Sequence, residues 1–179
     1  MAENKDSVCL IVSPSPFLLD ERNFMSLGIL KVASVLEAKN FSVEMVDLSG
    51  IENYEEAMRA HTSNSEAKYF GITATTPQMP AARNIAQVIR RHRPDIKIIL
   101  GGPHVTLTNA AYRKELKRGI NGRAIRAMQV IEENFDILVA GDGEEAIFVA
   151  LGKDSPKLID ADDQKSSLFL DNFRLNLLP

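Results

Sequence analysis

The chain has 179 residues, 45% of them hydrophobic and 25% charged, with a formal net charge of −3, which is the length of one domain with enough apolar residues to bury a core. The slight acidic balance offers no cationic surface for nucleic-acid phosphates, so a nucleic-acid partner is not expected. No apolar run approaches the roughly 20 residues that span a bilayer, and the opening Met1-Ala2-Glu3-Asn4-Lys5-Asp6 is polar, which predicts no membrane association and a cytoplasmic location.

Ser7 to Ser13 is short and nearly all apolar, as a central strand is when helices cover both faces of a parallel sheet. Cys9 within it is the only cysteine, which excludes an intrachain disulfide and a multi-thiolate metal site. A free thiol in such a strand behaves as a small buried hydrophobe. Ser13-Pro14-Ser15-Pro16 ends the strand, because proline has no amide to donate. The loop that follows, to about Ser26, is longer than the roughly two to six residues usual in α/β units. Phe17, Leu18, Leu19 and Phe24 make it apolar, so it covers a ligand, a partner surface or its own sheet.

Ser26 opens a predicted helix over Leu27 to Lys39, with Leu27, Leu30, Ala33, Val35 and Leu36 at helical spacing. Asn40 stops it. Ser42 to Leu48 predicts an outer strand, Tyr54 to His61 a short charged helix, and Thr62 to Ser65 a loop. Tyr69 to Ala74 predicts the third strand. Its end, Thr73-Ala74-Thr75-Thr76-Pro77, presents hydroxyls where a polar ligand would lie. Thr76-Pro77 reads as the Ncap and N1 of the next helix, which leaves Thr73 and Thr75 to serve a ligand.

A helix is predicted from Pro80 to His92, its last turn basic as the helix dipole favours. The strand Lys97 to Leu100 then stops at Gly101-Gly102-Pro103-His104. Ligands of parallel sheets sit beyond the carboxyl ends of the strands. Adjacent glycines there make a sharp turn, or let a ligand approach bare main chain. His104, on the same rim, contacts a cofactor, acts as an acid or base, or holds the loop by a hydrogen bond. His61 and His92, near helix ends, read as solvated. No two histidines are close in sequence, so no metal ligands are assigned.

Two further helices are predicted, Asn109 to Arg118 and Gly122 to Glu133, and then a fifth strand, Phe135 to Ala140. Gly141-Asp142-Gly143-Glu144-Glu145 turns that strand into a helix through Leu151. The two acids suit the positive end of that helix and argue against a phosphate there. A short strand at Lys157-Leu158-Ile159, an acidic turn and a tail from Leu168 to Pro179 complete the chain. GxxxxGK[ST], GxGxxG after the first strand, paired acids after that strand and GxSxG are all absent. Nucleotide and nucleophile chemistry therefore lack their motifs, and no catalytic residue is assigned. Five strands alternating with helices predict an α/β domain over residues 1–152: a flavodoxin-like, Rossmann-like doubly wound parallel sheet of order 2-1-3-4-5. Residues 153–179 form an extension.

From Val8 to about Leu151, six stretches stand in a distinctive order and spacing. They are Ser26-Leu27-Gly28, Leu36-Glu37-Ala38, Val46-Asp47-Leu48, Gly71-Ile72-Thr73-Ala74-Thr75, Gly101-Gly102-Pro103-His104-Val105-Thr106 and Gly141-Asp142-Gly143-Glu144-Glu145. Together they resemble the cobalamin (vitamin B12)-binding domain that precedes the catalytic barrel of B12-dependent radical SAM proteins. The resemblance implies that a corrin lies over the carboxyl ends of the strands and that its nucleotide tail descends beside the third and fourth. Carried over by motif, Thr73 and Thr75 bond the tail and Gly101-Gly102 give it room, while Ser13, His104, Gly141, Gly143 and Glu144 line the rim.

Two departures qualify what is implied. The better-known cobalamin carriers have DxHxxG after the first strand, whose histidine ligates cobalt from below. Here Ser13-Pro14-Ser15-Pro16-Phe17 stands in that place and no histidine precedes His61. The lower face is then empty, bound by water, or covered by an apolar residue of the long loop. The CxxxCxxC motif of the radical SAM barrel is also absent. S-adenosylmethionine and a [4Fe-4S] cluster accordingly belong to a missing C-terminal radical SAM domain in cis, toward which the tail resembles a linker. The implied function is a cobalamin-binding N-terminal domain, not catalytic alone, of a methyltransferase-like enzyme. The alternative is a degenerate Rossmann-like domain without cofactor, a protein interaction module or homo-oligomer that packs through the loop Phe17 to Phe24 and the tail Leu168 to Leu178.

Overall fold

Strands buried on both faces need a helical layer on each side. The computed structural model, which describes residues 6–15 and 26–171, has that arrangement. In chain order the elements are β1 (Ser7–Val12), α1 (Leu27–Ala38), β2 (Ser42–Asp47), α2 (Tyr54–Asn64), β3 (Tyr69–Thr73), a 3₁₀ turn (Thr76–Gln78), α3 (Met79–His92), β4 (Lys97–Gly101), α4 (Pro103–Arg118), α5 (Arg123–Asn134), β5 (Ile137–Ala140), α6 (Gly143–Leu151) and β6 (Leu158–Asp160). The sheet order is β2-β1-β3-β4-β5-β6, and every pairing is parallel.

The sheet thus has six strands rather than the five expected. Leu158, Ile159 and Asp160 pair with Leu138, Val139 and Ala140, and the Ala161 N–H donates to the Ala140 carbonyl at 2.8 Å. Three residues carry almost no periodicity of their own. The otherwise open edge of β5 accepts them, so the sheet continues past residue 152.

Alternation along each strand divides the core in two. Cys9, Ile11, Phe70, Ile72, Ile98, Leu100 and Leu138 face the layer formed by α2, α3, α4 and α5. Val8, Leu10, Ile99, Ile137 and Val139 face α1 and α6. Helix α6 approaches α1 closely at Gly143, where a Cβ would stand 2.8 Å from Cγ2 of Val32.

Of the boundaries that differ from the expected ones, three have a local cause in plain view. Helix α2 continues through the predicted loop to Asn64, because Thr62, Ser63 and Asn64 each return a side-chain hydrogen bond to the carbonyl four residues back, at 2.7, 3.0 and 2.8 Å. Helix α4 starts at Pro103, not Asn109: Gly102 takes φ +96° as its cap and the proline occupies the first helical position. The weak helix formers Val105 and Thr106 hold that first turn, one by full burial and the other by a hydroxyl bond to the Gly102 carbonyl. At the end of β3 the cap is Thr75 rather than Thr76: Oε1 of Gln78 accepts both its N–H (2.8 Å) and its hydroxyl (2.9 Å). No helix among the described residues is long and apolar enough to cross a membrane.

Candidate functional site

A bare patch lies on the α1/α6 face of the sheet, near the carboxyl ends of the central strands. Register places Thr73 beside Gly101 and Gly71 beside Leu10 and Ile99. Counting by twos from Thr73 and from Gly101 puts Gly71, Thr73, Ile99 and Gly101 on one face, and two of those four have no side chain. Helices α1 and α6 cannot collapse onto the missing side chains, because they rest on each other at Gly143 and Val32. The result is a slot of about 730 Å³, within the range of roughly 300–1,000 Å³ typical of small-molecule sites.

Leu10, Ile29, Val32, Ile99, Val139 and Ile147 give the slot apolar walls, with Ser26, Thr73 and Thr106 as hydroxyls. Ser26 stands at the start of α1, yet its hydroxyl makes no capping bond. Glu144, only 4% exposed, lies in the first turn of α6 with Lys31 Nζ 3.7 Å from its carboxylate. At the mouth, Leu27 and Leu107 are 69% and 67% exposed, an apolar rim on an open cleft.

The two glycine turns are fixed by different contacts. Gly102 lies against β3: a Cβ there would stand 2.6 Å from the Thr73 hydroxyl oxygen and 3.0 Å from the Ala74 nitrogen. The His104 N–H donates to the Ala74 carbonyl at 3.1 Å, which ties the start of α4 to the end of β3. Gly141, at φ +89°, lies against the chain after β6, where a Cβ would be 2.5 Å from the Asp162 nitrogen. Gly101 is the open one. A Cβ there would meet nothing closer than 3.9 Å.

Of the residues expected at the site, Thr73, Gly101, Gly102, Gly141, Gly143 and Glu144 line the slot together, and Ser13, Thr75 and His104 do not. Ser13 is fully buried behind the rim, its carbonyl accepting from Nε2 of Gln78 at 2.5 Å and its hydroxyl without a partner among the described residues. Thr75 is spent on its cap with Gln78. His104 meets the Thr76 hydroxyl through Nδ1 at 3.0 Å. Burial, with the charge of Arg83 adding to it, holds its imidazole below the ordinary value. His92 is exposed, as expected, and its Nδ1 lies 2.9 Å from the Val88 carbonyl. His61 is half-buried against Cys9 and Glu44. Burial, followed by the Glu44 charge, pushes the Cys9 thiol up. The loop Phe17 to Phe24 and the end of the tail lie outside the described residues.

Leu10, Val139 and Ile147 are wall residues outside the motif stretches, and Gly71 and Ser26 are wall residues that stand within two of those stretches without an expected part in the site. The available signal is the period of two: once Thr73 is placed at a ligand, Gly71 follows on the same face.

No curated protein matches the chain. Among solved structures, it is similar to the radical S-adenosylmethionine methyltransferase TsrM from Kitasatospora setae with tryptophan substrate and a SAM analogue bound. The TM-score is 0.56 at 17% identity, over 82% of this chain and 25% of that one. The same enzyme with cobalamin and a [4Fe-4S] cluster bound gives a TM-score of 0.56 and 17% identity, over 82% of this chain and 24% of that one. The chain thus spans about a quarter of the length of those structures, and at this identity the likeness is one of fold. The B12-binding domain family matches residues 21–126, a stretch that runs from the segment before α1 through β3, β4 and α4 and so includes Thr73, Gly101 and Gly102. By that match, over more than half of its length, this chain belongs to the B12-binding domain family.

Proposed function

We propose that the chain binds cobalamin, its slot taking the nucleotide tail and its strand ends the corrin, as the cofactor-carrying part of a B12-dependent radical SAM protein of the methyltransferase kind. The observation that carries this reading is the slot at Gly71 and Gly101, whose Gly71, Thr73, Gly101 and Gly102 lie in the stretch the family matches. Its residues fit the group. Leu10, Ile99, Val139 and Ile147 offer apolar walls to a flat aromatic base, and Thr73 offers a hydroxyl to the polar part of the tail. Side chains at Gly71 and Gly101 would project into the space such a base needs.

Cobalamin, when bound, supplies a cobalt centre that can carry and pass on a methyl group. The chain's own residues do the holding. Thr106 and Gly102 fix the rim, and Glu144, buried at the start of α6, keeps anionic groups away from that turn. Ser13, Pro14 and Ser15 follow β1 where a DxHxxG carrier places its histidine, so the first loop presents no imidazole to cobalt. In this reading S-adenosylmethionine and the [4Fe-4S] cluster belong to a C-terminal radical SAM domain in cis.

The test is addition of hydroxocobalamin to the chain, followed by gel filtration and a visible spectrum. About one equivalent retained supports the reading, and none at micromolar protein overturns it. Corrin-free oligomers in the same run would favour the alternative of a protein interaction module, to which the exposed Leu27 and Leu107 at the mouth would add apolar surface.

A further inference from the structure

The opposite face of β1 carries a second group of reactive side chains. Cys9 and Glu44 are direct partners across β1 and β2, and the alternation that turns Leu10 to the slot turns Cys9 away from it. His61 descends onto the pair from α2. Its Nε2 lies 3.4 Å from Cys9 Sγ and 2.9 Å from Oε2 of Glu44, and that same oxygen accepts the Ser65 hydroxyl at 2.7 Å.

Both contacts of the ring fall on one nitrogen. A relay through imidazole uses its two nitrogens for two partners, so this is not the geometry of a nucleophilic triad. Nor does one nitrogen satisfy both neighbours in a neutral ring. If Nε2 carries the proton and donates to Glu44, the Cys9 S–H has no acceptor there. If Nε2 accepts the S–H, its lone pair faces the carboxylate with no proton between them.

A cation resolves this conflict. The three ligand atoms all lie within 4.8 Å of one another. Around a tetrahedral ion bound at about 2.3 Å to sulfur and about 2.0 Å to nitrogen and oxygen, neighbouring ligand atoms stand ~3.3–3.6 Å apart. Separations of 3.4 and 2.9 Å are within a few tenths of an ångström of that. A thiolate and a carboxylate also balance a double positive charge, so the ion enters a half-buried place without leaving net charge there.

We propose that Cys9, Glu44 and His61 bind a divalent cation of the zinc class through thiolate, carboxylate and imidazole Nε2, with water as the fourth ligand. A mixed sulfur, nitrogen and oxygen set suits zinc, whereas magnesium and calcium take oxygen ligands. Binding displaces the thiol proton to solvent, and no redox change occurs. The Glu44 and His61 side chains, 28% and 32% exposed, give the ion its way in and leave room for the water. The ion would pin α2 to the β1–β2 edge, on the side of the sheet away from the slot, so it stands or falls independently of cobalamin binding.

The test titrates the cobalamin-free chain with Co²⁺ as a spectroscopic probe and then with Zn²⁺. The expected result is one Co²⁺ per chain, a thiolate-to-cobalt band in the near ultraviolet that Zn²⁺ bleaches, and a Tm that rises with zinc. Cys9→Ser should abolish the band. His61→Ala, at a half-exposed position, should keep the helical circular dichroism and weaken Co²⁺ binding by about tenfold or more. Absence of the band in the unaltered chain, its persistence in Cys9→Ser, or wild-type Co²⁺ affinity in folded His61→Ala would each overturn the proposal. If Cys9→Ser does not fold, the unaltered chain and His61→Ala decide it.

Discussion

The Thr106 hydroxyl accepts the Gly141 N–H at 2.9 Å while donating to the Gly102 carbonyl at 3.2 Å, so one side chain joins the two glycine turns that edge the slot. Thr106→Val keeps the shape and removes both bonds. The Gly141 N–H then loses its partner in a half-buried place, which costs about 1–3 kcal/mol. Urea denaturation should show that loss and a weaker uptake of cobalamin, with Thr106→Ser restoring most of both. Wild-type stability in Thr106→Val would show that the bridge contributes nothing.

Gly101 is expected to separate binding from folding. Its Cβ has room, with the nearest atoms of Val139 at 3.9 and 4.0 Å, but a longer side chain runs into the slot. Gly101→Leu should keep a urea midpoint close to that of the unaltered chain and lower cobalamin affinity tenfold or more, as read by visible absorbance. Unchanged affinity would mean that the tail lies elsewhere.

Gly102 behaves oppositely. Its φ of +96° and the 2.6 Å approach of a Cβ to the Thr73 hydroxyl leave no unstrained place for a side chain. Gly102→Ala should therefore destabilise the fold by about 1–3 kcal/mol in urea. A change below about 0.5 kcal/mol would show that the turn relaxes freely.

These two glycines also mark how far the sequence could be read. Adjacent glycines after an apolar strand announce a place where the main chain is bare, and Thr73 on the neighbouring strand announces a hydroxyl beside it. Gly101 lines the slot bare with Thr73 beside it, whereas Gly102 is packed against Thr73 and Ala74 and makes the turn. Leu10 escapes such a reading, because its place on the wall beside Gly71 follows from register between strands distant in the chain. Thr75 takes the cap expected of Thr76 because capping geometry turns on one residue and the Gln78 amide decides it, while Thr76 bonds His104. The meeting of Cys9 with His61 spans 52 positions and carries no local signal. The short strand expected at Lys157 to Ile159 is present one residue later, and what the sequence left open was its place in the sheet, which the free edge of β5 supplies.

His104 predicts a pH dependence of stability. Burial first, and the Arg83 charge second, hold its pKa in the folded chain below the ordinary value near 6.5. Folding therefore favours the neutral ring. The contribution is complete above the unfolded-state pKa and is lost as pH falls from there through the lowered folded-state value. The urea midpoint should drop as pH falls below the ordinary imidazole value near 6.5, and His104→Gln, which can still bond Thr76, should flatten that part of the profile. A profile unchanged by the substitution would assign the slope to other groups.

The central claim is that the slot beside Thr73 and Gly101 holds the nucleotide arm of the cofactor. Competition between cobalamin and cobinamide, which has the corrin but lacks the nucleotide, measures that arm alone. The chain should prefer cobalamin by tenfold or more, and Gly101→Leu should erase the preference; equal affinity for the two corrinoids in the unaltered chain would contradict the account.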